Sequence, residues 1–229
     1  MCGIFAIKSN VVNTEVLHVI YNVIKESQIR GKHSTGITLL ADKECVTLKE
    51  FLPSSEFLDK HWDYIKGKID SCQTFSLIAH TRYSTSGLTA QPVSVDSLHI
   101  AMNGVITQSD CDKWNNLFNI DCVTDNDSEL MLRSLDNNIN PYDGVFVDYD
   151  PSFAAVVLNT DNNKLHAFRN HKRPLYVASG EGFNIVASTA DIINRSSNLS
   201  PIKLDSVVAI IEPDYFNIIH EDLDKEWQI

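Results

Sequence analysis

Cys2 stands one residue behind the initiator methionine and is followed by Gly3 and the apolar run Ile4 to Ile7. Cells normally trim an initiator Met when the next residue is as small as Cys. Cys2 would then lead the chain, with a thiol and a free α-amine on one carbon skeleton. A nucleophile needs a base within reach, and an N-terminal amine can serve. Such an amine has an intrinsic pKa of about 7.7–8.0 and is partly neutral near physiological pH. It can take the thiol proton and later deliver it to a leaving amine or ammonia. The plain alternative is an exposed cysteine near a terminus by chance. Chain ends fray unless tied down, and the strand-like run behind Cys2 would tie this one into a sheet.

Three further places carry residue types suited to chemistry. Arg82, in "AHTRYSTSG" (79–87), closes an apolar run and opens a Ser/Thr/Gly loop. A guanidinium there can grip a carboxylate bidentately, although a lone arginine is as readily a surface ion pair. Asn103 and Gly104, in "MNGVI", can supply a side-chain amide and an unobstructed backbone N–H to an oxyanion; losing one such donor costs about 2.7–4 kcal/mol of transition-state stabilisation. Taken alone, Asn-Gly between apolar runs reads first as a tight hairpin turn. Asp125, Asp127 and Glu129, in "TDNDSE" (124–129), precede a helix. They suit N-terminal capping and dipole compensation, or one of them faces a cationic ligand group.

The elements that must position these residues are short and numerous. Residues 4–8 read as a strand. Val16, Val19, Ile20, Val23 and Ile24 recur at helical spacing, with Asn13 or Thr14 as N-cap and Gly31 as a stop. "STGITLLA" and "ECVTLKEFL" form a hairpin about "DK". "SSEFLDKHWDYIKG" is helical. "FSLIAHTR" and "LHIAMNGVI" are strands, the latter interrupted at Asn-Gly. "SDCDKWNNLF" and "DSELMLRSLD" are helices with Ser or Asp caps. From Phe153 onward hairpins dominate, followed by a short helix near 190–196 and two strands up to Ile211. Residues 212–229 form an acidic tail. No linker or repeat divides the chain. The pattern predicts an α+β fold, stacked antiparallel sheets with helices outside, in a single domain over 1–229.

Composition excludes several classes. The formal charge of −11 argues against a nucleic-acid partner, which needs a basic footprint. No apolar run reaches the length of a membrane span, and the N-terminus lacks a signal peptide's basic and apolar regions. The five cysteines, an odd number, point to free thiols in a reducing, cytoplasmic setting. Neither metal-ligand spacing nor a cofactor fingerprint is present, so no cofactor or metal is expected. Apart from Cys2, the cysteines read as small buried hydrophobes.

In combination, these stretches resemble the glutaminase domain of class II glutamine amidotransferases, which are N-terminal-nucleophile (Ntn) hydrolases. "MCGIF" is similar to the family's opening. "RGKHSTGI" (30–37), "HTRYSTSG" (80–87), "AQP" (90–92), "MNGVI", "TDNDSE", "RNHKRPLYVA" and "NIVAST" resemble its later motifs in order, from residue 2 to about 211. The resemblance implies a four-layer αββα sandwich and hydrolysis of the glutamine side-chain amide to glutamate and ammonia. It implies Cys2 as nucleophile, Asn103 and Gly104 as oxyanion hole, Arg82 on the substrate carboxylate and Asp127 on its ammonium. Tyr83 and Thr85 would line the same pocket and Arg30 would brace the loop over it.

Three positions depart from the family pattern: His33 replaces an Asp, Ser86 a His and Met102 a polar residue, the first two in the region that closes over glutamine. The chain carries no P-loop or dinucleotide fingerprint, so the expected partner is an ammonia-consuming synthase on a separate chain. Two alternatives stay open: an amidohydrolase for another γ-glutamyl amide, and a non-catalytic regulatory module of the same fold.

Overall fold

The computed structural model describes residues 1–84, 89–140, 142, 148–200, 204, 208–214 and 217–219. In chain order the elements are β1 (Gly3–Ser9), α1 (Thr14–Glu26), β2 (Ser34–Ala41), β3 (Glu44–Glu50), α2 (Ser54–Asp70), β4 (Phe75–Arg82), β5 (Val93–Val95), β6 (Leu98–Val105), α3 (Trp114–Phe118), α4 (Asp127–Asp136), β7 (Ser152–Asn159), β8 (Lys164–Arg169), β9 (Tyr176–Gly180), β10 (Phe183–Ala187), α5 (Ala190–Asn198), β11 (Ala209–Ile210) and β12 (Asn217–Ile219). The strands form two sheets, ordered β11-β9-β10-β1-β4-β2-β3 and β12-β8-β7-β6-β5. Every pairing is antiparallel.

Side-chain alternation makes the layers. Along β1, Phe5 and Ile7 pack with α1, α2 and α5 residues, while Ile4 and Ala6 point the other way. There they meet Ala101 of β6, Ala154 and Val156 of β7, and Leu165 and Ala167 of β8. The outer face of the second sheet, including Ile100, Met102 and Phe153, is covered by Trp114 and Phe118 of α3 and Leu130 and Met131 of α4. Strands buried on both faces need apolar residues at successive positions, as β7 shows from Phe153 to Leu158. The result is helix, sheet, sheet, helix: the expected α+β sandwich.

Several local readings change. α1 starts where expected, the Asn13 side chain accepting from Val16 N at 2.8 Å, but ends at Glu26 and passes into a 3₁₀ turn, Ser27–Ile29. Gly31 is therefore not its stop. A Cβ at Gly31 would lie 2.2 Å from the Arg82 carbonyl carbon, so glycine lets this loop press against the end of β4. α4 is capped by Asn126, whose side chain accepts from Ser128 N. Asn103–Gly104 is no turn: both lie inside β6, paired with Ala154 and Phe153. Within the tail, β12 pairs with β8; residues 220–229 lie outside the described residues. Of the two strands expected before Ile211, β11 is described, and most of 201–207 lies outside. Cys45 and Cys111 are exposed rather than buried.

Candidate active site

The pleat sends Cys2 and Asn103 into the same gap. Cys2 shares the parity of Ile4 and Ala6, and Asn103 that of Ala101, so both project between the sheets at one end. There the Cys2 backbone N–H donates to Asn103 Oδ1 at 3.3 Å. That bond turns the Asn103 amide so that Nδ2 faces elsewhere, and Nδ2 is buried without a hydrogen-bond partner among the described residues. A buried donor left unsatisfied costs about 1–3 kcal/mol, so such a donor at a cavity wall is suited to a ligand oxygen.

Gly104 adds a second donor on the same edge. The Phe153 carbonyl accepts from Asn170 N at 3.0 Å, and its N–H donates to Asn170 Oδ1 at 3.2 Å. Position 104–153 is therefore a non-hydrogen-bonded pair of the ladder, and the Gly104 N–H points away from β7. Two residues back, Met102 N donates to Gln91 Oε1 at 2.7 Å; two residues on, Ile106 N donates to Asp127 Oδ2 at 2.5 Å. Gly104 lies between these two along the edge beyond β5. A Cβ there would come within 2.2 Å of Ser152 O and 2.7 Å of Phe153 Cα, so the close approach of β7 also demands glycine.

The start of β1 is held firmly. Ile4 N donates to Ser188 Oγ at 2.7 Å and Ser188 N returns to Ile4 O at 3.1 Å. Arg30 Nε donates to Cys2 O at 2.8 Å, so Arg30 braces the backbone of Cys2. Burial lowers the Arg30 pKa, Cys2 opposing the shift and neighbouring Arg173 adding to it. Met1 lies between the two arginines, its Sδ 3.7 Å from Arg30 Nη2 and 3.4 Å from Arg173 Nη1. The Cys2 sulfur is 3.9 Å from Tyr83 O.

Arg82 ends β4 opposite Ser34 and donates to the Thr89 carbonyl. Next to it His80 is fully buried, its pKa pushed down to about 3 by burial, then by Arg82, against a hydrogen bond to Met102 O. The neutral ring thus ties β4 to β6 across the gap at 3.2 Å. Asp127 receives the Ile106 and Thr107 N–H groups, yet burial prevails and raises its carboxyl. Glu129 has a different task. Buried at 2% exposure, it accepts from Val123 N, Thr124 N and Thr124 Oγ1 and pairs with Arg133 at 2.7 Å. It is a loop clamp, separate from Asp127.

A cavity of about 870 Å³ brings Cys2, Arg82, Tyr83, Asn103, Gly104 and Asp127 onto one wall system. Thr85 and Ser86 lie outside the described residues. Asp125 lines the mouth. The outer wall runs from Thr107 to Cys111 and includes Trp114; Arg173 and Gln91 also line the cavity. Sequence reasoning assigned none of these a role: the "AQP" motif held the only cue to Gln91, and Arg173 sat unremarked in "RNHKRPL". Met102, buried against α4 residues, also lines the cavity and offers it an apolar side chain. No group of three or more metal-ligating side chains occurs among the described residues, and no described helix is long and apolar enough to cross a membrane.

No family model matches the chain. It is similar to the glutamine–fructose-6-phosphate aminotransferase (isomerizing) of Bacillus cereus strain ATCC 10987, 23% identical over 236 residues, covering 95% of this chain and 37% of that protein. The Bacillus subtilis strain 168 protein of the same name is 23% identical over 242 residues, covering 99% and 38%. The chain thus spans well under half the length of the curated relatives it matches. Among solved structures, glutamine phosphoribosylpyrophosphate amidotransferase from B. subtilis, complexed with ADP and GMP, superposes with a TM-score of 0.68 at 19% identity, covering 95% of this chain and 47% of that one. A structure described as the allosteric regulatory enzyme of purine biosynthesis gives 0.69 at 18%, covering 95% and 46%.

Proposed function

We infer that this chain, which carries the class II glutamine amidotransferase fold, hydrolyses the side-chain amide of glutamine to glutamate and ammonia, with Cys2 as nucleophile in a single domain built on both sheets. The observation that carries the reading is the shared geometry of Cys2 and Asn103: the Cys2 nitrogen on Oδ1, and Nδ2 left over as a buried donor. Removal of Met1 would turn that nitrogen into an α-amine already seated on its acceptor. The amine takes the thiol proton as sulfur attacks the amide carbon. Asn103 Nδ2 and the Gly104 N–H receive the oxyanion. The amine then protonates the departing nitrogen, ammonia leaves, and water hydrolyses the thioester to glutamate and free thiol. Arg82 takes the substrate α-carboxylate and Asp127 its α-ammonium, while Tyr83 lines the pocket and Arg30 holds Cys2 O. A site with one fixed cation and one fixed anion recognises both charges of the zwitterion and rejects analogues lacking either.

One observation favours a second substrate class. The cavity of about 870 Å³ lies high in the range of drug-sized ligand sites, about 300–1,000 Å³, which leaves room for a γ-glutamyl amide bulkier than glutamine. A single assay series separates the readings. Intact-mass analysis after exposure to a diazo-ketone glutamine analogue should show Met1 lost and one adduct, absent in Cys2→Ala. Turnover is compared across glutamine and γ-glutamyl amides, with and without a candidate synthase that takes up the ammonia from a separate chain. An unlabelled Cys2 with Met1 retained overturns the nucleophile assignment. Faster turnover of another γ-glutamyl amide replaces the substrate, and turnover indifferent to every candidate synthase removes the partner.

A further inference from the structure

His33 makes an arrangement that the proposed mechanism does not use. Its backbone N–H donates to Arg82 O at 2.9 Å. Its ring lies against Tyr83, centroids 5.0 Å apart at 35°. Its Nδ1 accepts from Ser84 N at 2.7 Å, so Nδ1 carries no proton and the neutral ring bears it at Nε2. The Ser84 N–H and the Tyr83 C=O belong to one peptide unit. In a trans peptide these two groups point in opposite directions. Fixing the N–H on His33 therefore aims the Tyr83 carbonyl the other way, and that is where the Cys2 sulfur sits, 3.9 Å from the oxygen. An exposed ring just before β2 thus sets the Tyr83 carbonyl that faces Cys2.

We propose that His33 is a positioning residue for Cys2: it locks the plane of the Tyr83–Ser84 peptide, and through that plane the orientation of the thiol. The carbonyl accepts the S–H and keeps the sulfur at a fixed place in the pocket. It also disfavours negative charge on sulfur during attack by a small, unoriented electrophile. Losing the lock has opposite effects on two reactions. A substrate held in one pose reacts more slowly because the sulfur is misplaced, while a freely diffusing alkylating agent reacts faster. The turnover half of this rests on the glutaminase reading; the alkylation half does not.

The test compares His33→Leu, which has no acceptor, with His33→Asn, whose Oδ1 occupies the place of Nδ1. Each mature protein is assayed for glutamine turnover. In parallel, iodoacetamide labelling of Cys2 is followed by mass spectrometry, with exposed Cys45 as internal reference. For His33→Leu, kcat should fall about tenfold or more, since small misplacements of reacting groups are costly, with KM within about twofold because Arg82 and Asp127 are untouched. Its Cys2 labelling should accelerate relative to Cys45, and His33→Asn should restore both readouts. The inference is overturned if His33→Asn is as impaired as His33→Leu, or if His33→Leu labels like the parent protein. If no form turns over glutamine, the glutaminase reading fails by itself and labelling alone decides the role of His33.

Discussion

Asp127 opens α4 with its carboxylate on the edge of β6, where burial raises its pKa above the usual 3.8 despite the Ile106 and Thr107 N–H groups. An acid whose folded pKa exceeds its unfolded value binds more protons in the native state between the two. Stability therefore falls as pH rises from the unfolded value through the folded one. At neutral pH the ionised group is a net liability to the fold, and a bound ammonium would offset it. Asp127→Asn should accordingly lose about tenfold to a hundredfold in kcat/KM for glutamine, the worth of a charge-assisted hydrogen bond of about 1.5–3 kcal/mol. Its melting temperature at pH 7 should be unchanged or higher. A fall in melting temperature with kcat/KM intact would make the carboxylate structural. The sequence marked this cluster as a candidate, and the resemblance implied Asp127 within it. Spacing alone could not separate Asp127 from Glu129, because the difference lies in their partners: for one the distant end of β6, and for the other the local fold-back of Val123 and Thr124 onto the helix.

At the scale of elements, glycines divide by what lies opposite them. Gly104 faces backbone, Ser152 O at 2.2 Å and Phe153 Cα at 2.7 Å from a built Cβ, whereas nothing lies within 4 Å at Gly67 in α2. Gly104→Ala must force β6 from β7 and should destabilise by about 1–3 kcal/mol, the usual range for overpacking. Gly67→Ala restricts the unfolded chain and favours the helix, so it should stabilise by about 0.5–1 kcal/mol. Urea unfolding of both variants checks the pair, and an equal response would show that backbone proximity is not what fixes Gly104. Local pattern read this position as a turn, because Asn-Gly between apolar runs has that meaning when only near neighbours are considered. What carries β6 straight through is β7, some fifty residues later, whose Ala154 and Phe153 pair with Asn103 and Gly104. The helices were more legible: α1 shows its buried stripe and its Asn13 cap within one stretch of chain. β5 escaped notice because three residues carry too little pattern.

At the scale of the whole molecule, the candidate site is shared between the two halves of the sandwich. Cys2 and Arg82 come from the first sheet; Asn103, Gly104 and Asp127 come from the second and its covering helix. The spacing of the sheets therefore sets the distance between Cys2 and the Asn103 and Gly104 donors. Small residues hold that spacing: Ala6 faces Ala101, Ala154 and Ala167 in the inter-sheet core, with the His80–Met102 bond as a polar tie. The alternation along each strand made a layered fold legible in the sequence, but the meeting of Cys2 with Asn103 required knowing which strand ends coincide. Ala154→Leu places extra bulk in this gap beside Asn103. It should lower stability by about 1–3 kcal/mol and kcat/KM by about tenfold to a hundredfold through misplacement of the reacting groups. Ile65→Ala, in α2 and buried on the far side of the first sheet, should destabilise more, by about 2–5 kcal/mol, yet leave kcat/KM within about twofold below its melting transition, since catalysis depends on local placement rather than on global stability. Equal losses of activity in the two variants would mean that catalysis tracks stability alone, and that sheet spacing has no separate hold on the site.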